Sequence, residues 1–279
     1  MKSTTLGILT ALFLFAAAAS GLAQTGDEIL DRMQDAFSIG GAESREGILL
    51  SLDVANVYAT GVTTDVRMAV AAQSDDAGTS HALMYFLGGD DEGLIFLLET
   101  PENDATATRM WLYISSFGLT KELISEEDQS GSFAGSTLTY EDIAGAGDLQ
   151  DDYTASVLRE ETLVVGEESR EVWVLELTPR GGPDAEFARI LLWVDQEADL
   201  FLRLEGYAET GALAKQISVE RLGEFEGRRV PEEMVGRDLG SGDVSTLWLS
   251  GLRRPDASLS AETFDPQNLD AFDPAAYGF

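Results

Sequence analysis

What most constrains this chain is a long succession of short β-type segments with no helical crossover between them. Segments 48–58, 62–72, 81–87, 94–99 and 109–115 are rich in β-branched and aromatic residues. Turn clusters such as Gln73-Ser74-Asp75-Asp76-Ala77-Gly78 and Gly88-Gly89-Asp90-Asp91-Glu92-Gly93 separate them. A second set follows at 156–165, 170–177, 187–195, 201–209, 212–221, 230–239 and 244–252. Joints such as Val165-Gly166-Glu167-Glu168 and Glu209-Thr210-Gly211 are hairpin-sized, which makes consecutive strands antiparallel neighbours. Without crossovers a βαβ architecture is disfavoured, and the expected fold is mainly β with few helices.

Three stretches depart from the strand pattern. Ile29, Leu30, Met33 and Phe37 fall on one face of a helix, so Gly26–Phe37 is expected to be amphipathic, with Asp27 and Glu28 in the first turn where the dipole favours anions. Residues 117–155 are dominated by Gly, Ser, Thr and acids, with a helical turn expected at 119–124. So long an excursion inside a compact domain reads as a lid or a binding loop. Residues 258–279, with Pro266 and Pro274, read as an extended terminal segment. The organisation expected is a leader at 1–23, one domain at 24–257 that carries the lid-like excursion 117–155, and the C-terminal segment 258–279.

The leader reading rests on Lys2, an apolar run from Leu6 to Ala19, and small residues Gly21 and Ala23 before Gln24. It is too short for a membrane-spanning helix, which needs roughly 20 apolar residues. No Cys stands at the cleavage point, so an exported, soluble, periplasmic protein is expected rather than a lipoprotein. Removing the leader takes one lysine and no acid, leaving 17 basic against 50 acidic side chains, a balance of −33 with His81 neutral. Such a surface repels nucleic acid and anionic headgroups. It serves either as a binding surface for a cation or basic partner, or as a solvated coat suited to a salty medium, and the spread of acids along the chain favours the coat.

Enzymatic chemistry finds little support. A Ser-His-Asp triad has only His81 available, inside a strand, where a structural role is the ordinary one. Zinc sites need several His or Cys ligands, and the chain has one His and no Cys. Glu141 and Asp142 are adjacent, a spacing that suits capping or loop hydrogen bonds better than paired acid/base work. The acidic turns at 74–76 and 89–92 could offer oxygens to Ca²⁺ but lack EF-hand spacing. No phosphate-cradling motif is present, and no cofactor is expected.

Three segments together resemble a known family. They are Ser132-Phe133-Ala134-Gly135-Ser136-Thr137-Leu138-Thr139-Tyr140-Glu141-Asp142-Ile143; then Val172-Trp173-Val174-Leu175-Glu176-Leu177-Thr178-Pro179-Arg180 followed by Ile190-Leu191-Leu192-Trp193-Val194-Asp195; then Arg203-Leu204-Glu205-Gly206-Tyr207, Gly211-Ala212-Leu213-Ala214-Lys215 and Val230-Pro231. Their order is similar to that of the outer membrane lipoprotein-sorting proteins, in a poorly characterised LolA-like branch. The resemblance implies a strongly curved antiparallel sheet, an incomplete barrel, whose concave face is covered by helices and encloses an apolar cavity for acyl chains. It implies no catalytic residues.

The apolar runs 82–87, 94–98, 110–114 and 190–194 fit that picture, because an antiparallel strand with one wet face should alternate. Either one face lines a cavity or both are ordinary core under the first helix and the excursion. The expected ligand contacts are Met84, Phe86, Trp111, Tyr113 and Trp193 from the sheet, with Phe133 and Tyr140 closing over them. The expected function is a non-enzymatic periplasmic carrier for a lipid or lipoprotein acyl chain, with an inner-membrane transporter or exporter as partner and no stable membrane insertion. The alternatives are an exporter accessory that works by protein contact and, further off, a carboxylate-dependent hydrolase.

Overall fold

The computed structural model describes residues 24–37, 44–88, 91–101, 108–144, 149–181 and 185–279, and the expected leader lies outside them. Helix α1 (Gly26–Phe37) is followed by strands β1 (Ile48–Val57), β2 (Thr63–Ser74), β3 (Thr79–Phe86), β4 (Ile95–Pro101), β5 (Arg109–Ile114) and β6 (Leu119–Glu122). Three short helices come next, α2 (Glu126–Gln129), α3 (Tyr140–Ala144) and α4 (Leu149–Asp152). The chain then resumes strands: β7 (Tyr153–Val165), β8 (Glu168–Pro179), β9 (Arg189–Asp195), β10 (Phe201–Tyr207), β11 (Leu213–Phe225), β12 (Arg228–Asp238) and β13 (Val244–Arg253).

All the strands expected from the sequence form, and β6 adds one where a helical turn was expected. There the turn Ser115–Gly118 sends the chain back along β5, and Leu119, Thr120, Lys121 and Glu122 pair with Ile114, Tyr113, Leu112 and Trp111. Cross-strand pairing overrides local preference in so short a segment. Among the described residues, no helix is long and apolar enough to cross a membrane.

The strands make one 13-stranded antiparallel sheet in the order β6-β5-β4-β3-β2-β1-β13-β12-β11-β10-β9-β8-β7, which does not close into a barrel. Two meanders are thus joined at β1 and β13, and the strands consecutive in sequence, β6 and β7, sit at opposite edges. The stretch 123–152 between them has to run from one edge of the sheet to the other. This topology, rather than any local propensity, makes the long excursion a strap.

Both faces are buried over much of the sheet, which accounts for the apolar runs. In β3, Ala82, Met84 and Phe86 join the large core cluster while Leu83 faces the C-terminal segment. In β9, Leu191 and Trp193 join the large cluster while Ile190, Leu192 and Val194 meet α1. Helix α1 buries Ile29, Leu30 and Met33 there. Its start is a reciprocal capping box: Thr25 N–H donates to Glu28 Oε2 (2.9 Å) and Glu28 N–H to Thr25 Oγ1 (3.2 Å). The C-terminal segment is not simply extended. It makes 3₁₀ turns at Ala261–Phe264, Leu269–Ala271 and Pro274–Tyr277 and buries Leu259, Phe264 and Leu269 against Leu49, Leu83, Ile95, Leu97 and Trp111.

One buried ion pair fixes the β9–β10 turn. Arg170 donates from Nε and Nη2 to the two oxygens of Asp195, at 2.6 and 2.9 Å, and the Glu197 and Ala198 N–H groups donate to Asp195 Oδ1. Burial by itself would raise the Asp195 pKa, but the guanidinium and the two amides outweigh it and hold the carboxyl below its usual range. A depressed carboxyl pKa contributes stability above the unfolded value, roughly 3.9, and loses it as pH falls through the lower folded value. Asp195→Asn is expected to cost about 1.5–3 kcal/mol near neutral pH, because it removes the buried charge-assisted hydrogen bonds and leaves Arg170 only the more exposed Glu197 at 3.1 Å and Glu168 at 3.9 Å. Urea titrations of the two proteins from neutral to acid pH should show the gap narrowing only at the acid end.

Candidate functional site

The strap crosses the sheet as a tight loop followed by a short helix. Ser132 and Thr139 form an isolated antiparallel bridge, and Phe133 N–H donates to Leu138 C=O at 2.8 Å. Between them Ala134 and Gly135 take left-handed φ values of 51° and 68°. For Ala134 that conformation costs roughly 1 kcal/mol or more, so it persists only where the surroundings enforce it.

The surroundings are polar groups on the sheet aimed at strap backbone. Asn56 Nδ2 donates to Ala134 C=O at 3.0 Å, and Tyr58 Oη donates to Gly135 C=O at 2.8 Å. A side chain at Gly135 would collide with that phenol, 2.8 Å from the position of its Cβ. Thr137 N–H donates to Ser245 Oγ, which donates in turn to Asn56 Oδ1, both at 2.8 Å. Below Thr137 lies Gly236, where a Cβ would stand 2.7 Å from Thr137 Oγ1. Backbone and sheet approach closely here because Gly236 has no side chain.

Helix α3 begins with a second capping box, Thr139 N–H to Asp142 Oδ2 (2.7 Å) and Asp142 N–H to Thr139 Oγ1 (3.0 Å). The same Asp142 oxygen takes the ammonium of Lys215 from β11 at 2.5 Å, and Glu186 lies 3.8 Å from it. Asp142 is therefore a cap, the role its spacing suggested, and it also pairs with Lys215, which the spacing did not indicate.

These anchors lay an aromatic group on the sheet. Phe133 sits 6.1 Å from Phe86 and 5.7 Å from Phe96, and Tyr140 is 4.9 Å from Phe96 and 5.6 Å from Phe133, ring centre to ring centre. Burial pushes the Tyr140 phenol pKa up, so the group stays neutral. Met68, Val70, Met84, Leu98 and Met110 belong to the same cluster, with Leu138 and Ile143 of the strap packed on it. Nothing in this set suits nucleophilic or acid/base chemistry. It is a close-packed apolar layer between strap and sheet, with Phe133 and Phe96 fully buried.

Of the expected contacts, Met84, Phe86, Phe133 and Tyr140 come together here, and Trp193 belongs to the same cluster farther along the sheet. The Trp193 indole N–H donates to Glu161 Oε1 at 2.6 Å, with Arg203 over the ring. Trp111 and Tyr113 do not join them. In register Trp111 pairs with Leu97 and Tyr113 with Ile95, on the opposite face under the C-terminal segment. The β5 residues that face the strap cluster are Met110 and Leu112. The expectation was shifted by one residue, which moves every side chain of a strand to the other face. Phe96 was missed because the run Leu94-Ile95-Phe96-Leu97-Leu98 carries no alternation to orient it.

Two other features lie apart from this site. His81 lies 3.4 Å from Asp75 and 3.6 Å from Glu99, and its ring stacks on Phe264 at 5.4 Å. Asp75 of the acidic turn spends Oδ1 on the N–H groups of Ala77 and Thr79. A surface cleft of about 710 Å³ is lined by Asp53, Val54, Asp65, Val66, Arg67, Leu87, Gly88 and Trp248. Its charged walls, with Asp53 and Arg67 paired at 2.6 Å, do not resemble an acyl-chain site.

Solved structures define the class. The chain is similar to a putative outer membrane lipoprotein-sorting protein domain from Vibrio parahaemolyticus, at 21% identity and TM-score 0.70, covering 88% of this chain and 98% of that one. It is also similar to a LolA superfamily protein from Nitrosomonas europaea, at 21% identity and TM-score 0.60, over 87% and 98%. A DUF1329 family protein from Desulfovibrio piger aligns at 21% identity and TM-score 0.71, over 86% and 95%. The fold is thus LolA-like, a mainly β sheet not closed into a barrel. The chain belongs to the family whose model, described as an uncharacterized protein, matches residues 78–271. No curated protein matches the chain.

Proposed function

We propose that this protein is an exported, non-enzymatic periplasmic carrier for a lipid or the acyl chains of a lipoprotein. The ligand would lie between the sheet face that bears Met84, Phe86 and Phe96 and the strap that bears Phe133 and Tyr140. The observation that carries this reading is that the strap belongs to no sheet. Between its ends it covers an apolar face through Phe133, Leu138 and Tyr140, three hydrogen bonds between sheet side chains and its backbone groups, and the ion pairs Asp142–Lys215 and Asp128–Lys121. A segment so held can lift, and an acyl chain can take the place of Phe133 and Tyr140. At roughly 0.8 kcal/mol per buried CH₂, a long chain supplies ample affinity. Release then depends on handover to a partner such as an inner-membrane transporter or exporter. The LolA-like fold supports the same reading.

Mass spectrometry of organic extracts from protein purified from its own envelope tests it. Stoichiometric lipid or acylated peptide is the expected result. A clean extract, together with no uptake of a fluorescent long-chain fatty acid, would contradict it.

A further inference from the structure

We infer that the open edge strand β6 is a docking site for an extended partner segment that combines apolar with Lys or Arg residues. Phe117, Leu119 and Ile124 along this edge are 74%, 63% and 76% exposed. Every second N–H and C=O of an edge strand points away from its neighbour, and β6 pairs only with β5.

The opposite edge also exposes apolar side chains, Val157, Leu158 and Val164, but it is interrupted near its start and its tip, whereas β6 is protected only by its four-residue length and its own charges. On β7 the Ala155 N–H is taken by Asp27 of α1 at 2.9 Å, a bulge interrupts pairing between Val157 and Arg159, and the hairpin tip at Gly166 lies against Glu220. Strand β6 has regular pairing and no proline. Its own charges are paired at the surface: Lys121 binds Asp128 at 2.5 Å and Glu122 binds Arg109 at 3.0 Å.

Charge selects the occupant. Glu92, whose C=O takes the Ser115 hydroxyl, and Glu127, the neighbour of the Lys121-bound Asp128, stand near the edge, on a chain whose net charge is −32. A second copy of the chain would be repelled, and so would an anionic membrane. Backbone pairing for affinity, apolar side chains for Phe117, Leu119 and Ile124, and basic side chains for the acidic rim describe strand addition by a basic, apolar segment of another polypeptide.

The test uses a labelled nine-residue peptide of alternating Lys and Val, with a Glu–Val peptide and an N-methylated Lys–Val peptide as controls, at physiological salt. Binding is followed by fluorescence anisotropy and by backbone amide shifts. The expected result is binding of the Lys–Val peptide with shifts confined to residues 109–124, and none with either control. In Phe117→Ser/Leu119→Ser/Ile124→Ser, which leaves the core untouched, affinity should fall at least about tenfold. Four outcomes would overturn the proposal: no binding, shifts scattered over the acidic surface, unchanged affinity in the variant, or insertion of Phe117 into phosphatidylcholine vesicles in place of peptide binding.

Discussion

A chain shortened after residue 257 should lose cooperative unfolding at ordinary temperatures. The C-terminal segment inserts Leu259, Phe264 and Leu269, each at most 5% exposed, over Leu49, Leu83, Ile95, Leu97 and Trp111. It is tied down by Arg253, whose Nη2 donates to Tyr277 C=O at 2.6 Å and whose guanidinium lies over Phe279, and by Phe272 packed on Tyr85. Phe264→Ala alone is expected to cost about 3–5 kcal/mol, and Leu269→Ala about 2–5 kcal/mol. Losses of that size approach the whole stability of a domain, roughly 5–15 kcal/mol. Thermal melts followed by near-ultraviolet circular dichroism check this. A shortened chain that melts like the full one would mean the segment is only draped on the sheet.

Phe133→Ala is the second large effect, and it has a feature that an ordinary core truncation lacks. The ring is 0% exposed and touches Phe86, Phe96 and Tyr140, so its loss should cost about 3–5 kcal/mol. The void it leaves lies where the acyl chain is proposed to sit. A saturated fatty acid at about a hundred times its dissociation constant would return about 2.7 kcal/mol to the folded state. The variant should therefore gain more in melting temperature than the native protein, which must first displace its own phenylalanine. Leu83→Ala, on the face away from the strap, should be destabilised without that rescue.

The strands and the first helix were readable in the sequence because their signals are local: alternation, turn clusters, and apolar residues at i, i+1, i+4 and i+8. The strap was readable only as an excursion. Its course follows from β6 and β7 lying at opposite edges, and no local pattern records strand order. Trp111 and Tyr113 were assigned to the wrong face for a related reason. In Met110-Trp111-Leu112-Tyr113-Ile114 both faces are apolar, since the strap covers one and the C-terminal segment the other. Without a wet face, alternation vanishes and the register cannot be inferred. Asn56, Gly236 and Ser245 gave no signal because each acts on a segment far away in the chain.

A ligand beneath the strap requires the strap to lift, so locking the strap should block binding. The chain has no cysteine, so a single engineered pair can form. Thr137→Cys with Gly236→Cys places one sulfur where Thr137 Oγ1 now stands, 2.7 Å from a Cβ at Gly236, within reach of a disulfide. Binding of a fluorescent long-chain fatty acid is then measured on the same protein oxidised and reduced. The reduced form, whose Cβ at position 236 crowds the strap, should bind at least as well as the native protein, and the oxidised form should bind at least about tenfold more weakly, because it cannot populate the open state. Equal binding in the two forms would place the ligand elsewhere and rule out a site beneath the strap.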